Sequence, residues 1–167
     1  MNRKEPTDHL PMCGVGPVFG ITIIACTVLA ITLTCLGLIP TKGPAGIGRI
    51  LSVPGAALIL GGAFLWYAAI FRAKIDDGIL NNRLVTTGVY AWVRNPIYTA
   101  FLMFCTGALL ISGNLLLLFL PPVYWAFLTL LMKHTEEKWL AQRYGQPYLH
   151  YCERVNRCIP WPPRRSS

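Results

Sequence analysis

Val15-Gly-Pro-Val-Phe-Gly-Ile-Thr-Ile-Ile-Ala-Cys-Thr-Val-Leu-Ala-Ile-Thr-Leu-Thr-Cys-Leu-Gly-Leu-Ile39 runs without a single charged side chain. A helix that crosses a bilayer needs about 20 mostly apolar residues, so this stretch reads as a membrane helix. Three more uncharged apolar stretches follow, at residues 50–71, 97–111 and 115–132. The third is short. Ser112-Gly113-Asn114 reads as a tight turn after it, which makes the last two stretches a helical hairpin. Pro121 and Pro122 fall inside the fourth stretch and predict a kink, because proline removes a backbone donor and crowds the preceding turn. Pro54 is expected in the first turn of the second helix, a benign position. The expected fold is all-α: an integral membrane protein with about four transmembrane helices and a cytosolic C-terminal helical segment.

Composition agrees. The chain has 167 residues, 54% hydrophobic and 13% charged. A soluble domain carries roughly 25% charged residues. The expectation is one domain over 1–167, with a polar segment at 1–14, membrane helices and loops at 15–133, and a polar segment at 134–167. Arg3 and Lys4 precede the first apolar run as in a signal peptide. That run exceeds a signal core of about 7–15 residues, so it reads as a retained helix. The net charge of +8 does not indicate nucleic acid, because the basic residues flank apolar runs instead of forming a basic face. With four spans, every Lys and Arg except Lys42 and Arg49 falls on the side of the two chain ends, which is therefore expected to be cytosolic. The six cysteines include no C-x-x-C pair, and the three histidines lack ligand spacing, so no metal site is expected.

Two polar clusters lie just outside the apolar stretches. The first is Leu84-Val-Thr-Thr-Gly-Val-Tyr-Ala-Trp-Val-Arg-Asn-Pro-Ile-Tyr98. Thr86-Thr87-Gly88 reads as a turn. Asn95 and Pro96 suit the N-cap and first turn of the third helix, and such a helix start is a natural anion site. The alternative makes Arg94 a membrane-edge anchor and Tyr90, Trp92 and Tyr98 an aromatic belt. The second cluster is Thr135-Glu-Glu-Lys-Trp-Leu-Ala-Gln-Arg-Tyr-Gly-Gln-Pro-Tyr148, running on to Arg157 and Pro160. Glu136 and Glu137 read either as a solvated pair favoured by a helix dipole or as carboxylates for ribose hydroxyls or an ammonium. Residues 134–144 have a helical composition, with Trp139, Leu140 and Tyr144 on one side and Gly145 and Pro147 ending the helix. Tyr148, Tyr151, Val155 and Ile159 then recur at helical spacing up to Pro160. Asp76-Asp77-Gly78 lacks the rest of a calcium loop, and there is neither a G-x-G-x-x-G nor a Walker pattern.

The 84–98 block closely resembles the signature L-V-T-x-G-x-Y-x-x-x-R-H-P-x-Y of the isoprenylcysteine carboxyl methyltransferase family. Glu136-Glu137…Tyr144-Gly145…Tyr148…Tyr151…Val155…Arg157…Pro160 resembles that family's ending, parts of which phospholipid methyltransferases and sterol reductases share. The resemblance implies a small membrane enzyme using S-adenosylmethionine. By position, the cofactor contacts it implies are Asn82, Arg83, Leu84, Val85, Tyr90, Arg94, Asn95, Pro96, Ile97, Tyr98 and Glu136. Arg157 and Glu137 are the candidate catalytic residues. The implied partner is a lipophilic acceptor arriving from the membrane lipids, with no nucleic acid and no metal. Two positions depart from the pattern. Asn95 replaces the usual histidine, and the substrate-facing arginine falls near Met132, beside Lys133. The alternatives are an NADPH-dependent membrane reductase and a non-catalytic membrane partner protein.

Overall fold

The computed structural model describes residues 15–41, 43, 44, 46–72 and 84–162. Asn82, Arg83, Lys42 and the Asp76-Asp77-Gly78 turn lie outside the described residues. The described chain is all-helical, apart from one isolated parallel bridge between Val93 and Asn156. In chain order it runs α1 (Gly16–Cys35), α2 (Ile47–Tyr67), a π-helical extension (Ala68–Arg72), a 3-10 turn (Gly88–Ala91), α3 (Pro96–Ile111), a second 3-10 turn (Leu115–Phe119), α4 (Leu120–His134), α5 (Glu136–Tyr144) and α6 (Gln146–Arg154).

Three apolar helical stretches among the described residues are long enough to cross a membrane: Gly16–Cys35, Ile47–Phe71 and Leu115–Tyr144. The third of these includes the break at Thr135 between α4 and α5. Helix α3 is apolar but shorter, and at 1.5 Å per residue it reaches about 24 Å against a hydrocarbon core of about 30 Å.

In a bilayer, lipid tails are as apolar as leucine, so helices associate through close packing and small residues more than through the hydrophobic effect. Helix α2 supplies such residues two turns apart, at Gly48, Gly55 and Gly62. They face α3 and the turn beyond it. A Cβ on Gly55 would lie 2.8 Å from the Gly107 carbonyl oxygen, and a Cβ on Gly107 would lie 2.6 Å from that of Gly55. Higher up, a Cβ on Gly62 would come within 3.1 Å of the Ala100 carbonyl. At the other end Gly113, with φ of 68°, lies against Gly48. Helix α1 covers the other side of α3 with Phe19 and Ile23, both fully buried, in a core completed by Cys105, Leu109, Tyr124, Leu128 and Met132. The Phe19 ring meets Tyr98 edge-on and lies tilted against Phe127, with centroids 6.0 and 5.8 Å apart. Because α4 shares this core with α3, the two fold back on one another through Ser112–Asn114. Asn114 is buried and caps the second 3-10 turn by accepting from the Leu116 amide at 3.1 Å.

The structure corrects four expectations. Helix α2 starts at Ile47, so Pro54 lies inside it instead of in its first turn. Pro121 and Pro122 occupy the first turn of α4, where missing amides cost nothing, and a 3-10 turn replaces the kinked helix. The periodic run after Tyr148 stops at Arg154: Val155 is extended (φ −121°, ψ 133°), and the chain continues as a strap. Trp139 does not join Leu140 and Tyr144 against the tyrosine cluster and remains partly exposed.

The glycine contact generates a prediction. Gly107→Ala should lower stability by about 1–3 kcal/mol, the range for overpacking a close contact. Gly20→Ala, where the new Cβ meets the Phe101 ring at a comfortable 3.7 Å, should be near neutral. Thermal unfolding in detergent compares the two, and equal midpoints would remove the glycine seam from the account.

Candidate active site at the membrane edge

The two polar clusters meet at one end of the helices, drawn together by the strap. Residues 155–161 run beside the segment that leads into α3. The Arg94 amide donates to the Asn156 carbonyl at 2.9 Å, and the Asn95 amide donates to that of Arg157 at 3.2 Å. The Thr99 hydroxyl donates to the Cys158 carbonyl at 3.0 Å, and the Trp161 amide to that of Trp92 at 3.1 Å. Asn95 holds the N-cap position of α3, yet its side chain makes no cap bond. Its Nδ2 donates instead to the Arg157 carbonyl at 3.2 Å. An amide side chain is therefore part of the tie between loop and strap, at the position where the resembling family carries histidine.

The neighbouring carboxylates Glu136 and Glu137 open α5 after a sharp break at Thr135 (φ −124°, ψ −90°). Both lie in the first turn, where the helix dipole favours negative charge. Successive helical residues point about 100° apart, and the two serve different networks. Glu137 takes a bidentate grip from Arg157, with Nε to Oε1 at 2.6 Å and Nη2 to Oε2 at 2.9 Å. Arg94 Nη1 lies 3.3 Å from the same Oε1 and also donates to Cys152 Sγ. Such forked, charge-assisted bonds are among the strongest a side chain makes. The other carboxylate, Glu136, turns toward the membrane helices. Its Oε1 accepts the Tyr98 hydroxyl at 2.5 Å and the Val15 amide at 2.9 Å.

One donor in this cluster has no partner among the described residues. Arg94 is 9% exposed, and its Nε is buried without a hydrogen bond. A buried guanidinium nitrogen left unpaired is costly. Tyrosines surround the cluster. The Tyr151 hydroxyl donates to the Tyr90 carbonyl at 2.6 Å, and Tyr148 and Tyr151 form a buried pair with Val155. Burial pushes the phenols of Tyr90, Tyr148 and Tyr151 well above the ordinary tyrosine range, so all three stay neutral donors.

Of the sequence-derived candidates, the structure brings Arg94, Asn95, Pro96, Tyr98, Glu136, Glu137 and Arg157 to this one end. Leu84 packs against the tyrosine cluster, and Val85 and Ile97 are half-buried nearby in sequence. The sequence reading missed Val15, Thr99 and Cys152. The first acts through its backbone, and the other two resemble ordinary helix residues. Among the described residues no cluster of three or more metal-ligating side chains occurs.

Two outcomes are expected. Arg157→Ala should loosen the strap, costing about 1.5–3 kcal/mol for hydrogen bonds to a charged group, with faster proteolytic cleavage after position 154. Unchanged cleavage would separate the ion pair from strap docking. The Cys158 thiol is pushed up to about 11 by burial, which outweighs the nearby arginines. At pH 8 it should alkylate about a hundredfold more slowly in the folded protein than after unfolding, since the thiolate is the nucleophile. Mass spectrometry of iodoacetamide-treated samples checks this.

A family model for phospholipid methyltransferases matches residues 48–147. The chain is 36% identical over 78 residues to the protein-S-isoprenylcysteine O-methyltransferase of Schizosaccharomyces pombe, covering 46% of this chain and 33% of that protein. Against the Saccharomyces cerevisiae protein of the same name it is 35% identical over 79 residues, 47% of this chain and 33% of the relative. The Homo sapiens protein is 30% identical over 121 residues, 66% of this chain and 42% of the relative. The chain thus spans well under half the length of these relatives. No solved structure matches it. With the family model covering more than half of the chain, including both Glu136 and the 84–98 block, this protein belongs to the phospholipid methyltransferase family.

Proposed function

We propose that the protein transfers a methyl group from S-adenosylmethionine to a lipophilic acceptor at the cytosolic face of a membrane. The observation that supports the cofactor assignment is the Nε of Arg94, buried without a partner among the described residues and held beside Glu137 and Arg157. The residues present fit the cofactor's chemistry. Arg94 suits a carboxylate. Glu136 suits ribose hydroxyls or an ammonium, and the Tyr90 and Tyr98 rings suit adenine or a sulfonium. Asn95, Pro96 and Ile97 form the wall at the start of α3, Leu84 and Val85 the loop side, with Asn82 and Arg83 preceding them in sequence. When bound, S-adenosylmethionine supplies an electrophilic methyl carbon attached to sulfur.

The chain's own residues then have a positioning task. Both oxygens of Glu137 are already engaged by the Arg157 guanidinium. We therefore assign Glu137 and Arg157 to holding Arg94 and the strap in place and to excluding water, not to proton removal. The relatives' printed names specify methylation on oxygen, and an oxygen acceptor that is a carboxylate requires no base. Met132, where the resembling enzymes have a substrate-facing arginine, is fully buried, and Lys133 is exposed. The acceptor's polar end must then be recognised elsewhere. In this reading the chain is a single domain and α3 completes a fourth span. The excess of Lys and Arg puts the site and both chain ends in the cytosol.

The test is transfer of labelled methyl from S-adenosylmethionine, in nanodiscs, to N-acetyl farnesylcysteine and to phosphatidylethanolamine. Label released as methanol by base marks an ester, and base-stable label marks an amine. Tyr98→Phe and Glu136→Gln should each lower the rate at limiting cofactor by at least tenfold. NADPH-dependent reduction of an unsaturated lipid, with no methyl transfer, would replace this reading by the reductase one.

A further inference from the structure

The segment shared with the family begins at residue 48, yet Glu136 is held by a residue far outside it. The Val15 amide, at the N-cap position of α1, donates to Glu136 Oε1 at 2.9 Å across 121 residues of sequence. The next residue, Gly16, lies against Tyr98: a Cβ there would come 2.9 Å from Cε1 of the ring and 3.0 Å from the phenol oxygen. Pro17 follows and has no amide to offer. Residues at the start of α1 thus touch both members of the Tyr98–Glu136 pair. Both bonds to the carboxylate fall on the same oxygen, Oε1.

We propose that Val15 is a positioning residue of the site. Its amide, together with the Tyr98 hydroxyl, saturates Oε1 and fixes the rotamer of Glu136 so that Oε2 is the oxygen presented to the cofactor's hydroxyls or ammonium. This rests on the cofactor reading above and adds α1 to the site's walls. An amide at the start of a helix is an unpaired donor unless something accepts from it, so the contact also satisfies α1. The close approach at Gly16 makes a small residue necessary there, since any side chain would push the Tyr98 ring away from Glu136.

The test uses the full chain in nanodiscs, with S-adenosylmethionine as the probe. Val15→Pro deletes the amide, and Val15→Ala, the conservative counterpart, keeps it. Val15→Pro is expected to bind about tenfold more weakly than Val15→Ala, and Gly16→Ala to show a similar loss through Tyr98. Equal affinity for the proline and alanine variants, with helix content intact by circular dichroism, would overturn the proposal. A second readout does not depend on the cofactor. Hydrogen exchange at the Val15 amide should be slow in the parent and fast in Glu136→Ala, with the rest of α1 unchanged. If the parent binds no S-adenosylmethionine, the cofactor reading fails by itself. The exchange result then decides the contact: protection lost with Glu136 supports it, and protection indifferent to Glu136 overturns it.

Discussion

The grip of Arg157 on Glu137 is the interaction on which the polar end of this protein depends. Residues 155–161 form no helix, and apart from the isolated Val93–Asn156 bridge and a few hydrogen bonds to the segment before α3, such a strap has little to hold it against a helix bundle. Here two of the three guanidinium nitrogens, Nε and Nη2, close on both carboxylate oxygens. The Arg157 carbonyl on the same residue receives the amide and the side chain of Asn95. One residue thereby joins α5, the strap and the start of α3. Arg94 is drawn into the same carboxylate and is buried by the fold that results, which leaves its Nε without a hydrogen-bond partner among the described residues.

The tie would locate nothing if α3 were free to shift. Its position is set in the membrane by contacts that no side-chain charge could supply. Gly55 and Gly107 allow the backbones of α2 and α3 to approach until each would clash with a Cβ on the other. Phe19 and Ile23 of α1 fill the opposite side. The first turn of α3 then carries Tyr98 toward Glu136 and Thr99 toward the strap. Packing geometry in the apolar layer thus becomes hydrogen-bond geometry at its edge.

Much of this was legible in the sequence for specific reasons. Uncharged runs give helices, and a helix start was correctly placed at Asn95-Pro96. The polar clusters were visible because arginine, glutamate and tyrosine are conspicuous beside apolar runs. Errors fell where local pattern competes with tertiary ties. Val155 and Ile159 keep a helical spacing, yet Arg94 and Asn95 offer amides that tie the carbonyls of residues 156 and 157 to the start of α3. Pro121 and Pro122 looked like a kink because the turn at Ser112–Asn114 gave no sign of the 3-10 segment that delays α4. The resemblance assigned Glu136 and Glu137 different roles, but residue type alone carries no information about which network each of two adjacent identical residues will face. Backbone donors such as the Val15 amide leave no trace in a sequence.

The central claim is that this end of the molecule is a site for S-adenosylmethionine. Calorimetric titration of the purified protein in nanodiscs with S-adenosylmethionine and, separately, with NADPH tests it most directly. The account predicts saturable one-site binding of S-adenosylmethionine and no heat from NADPH. Binding of NADPH alone, or of neither by a folded sample, would contradict it.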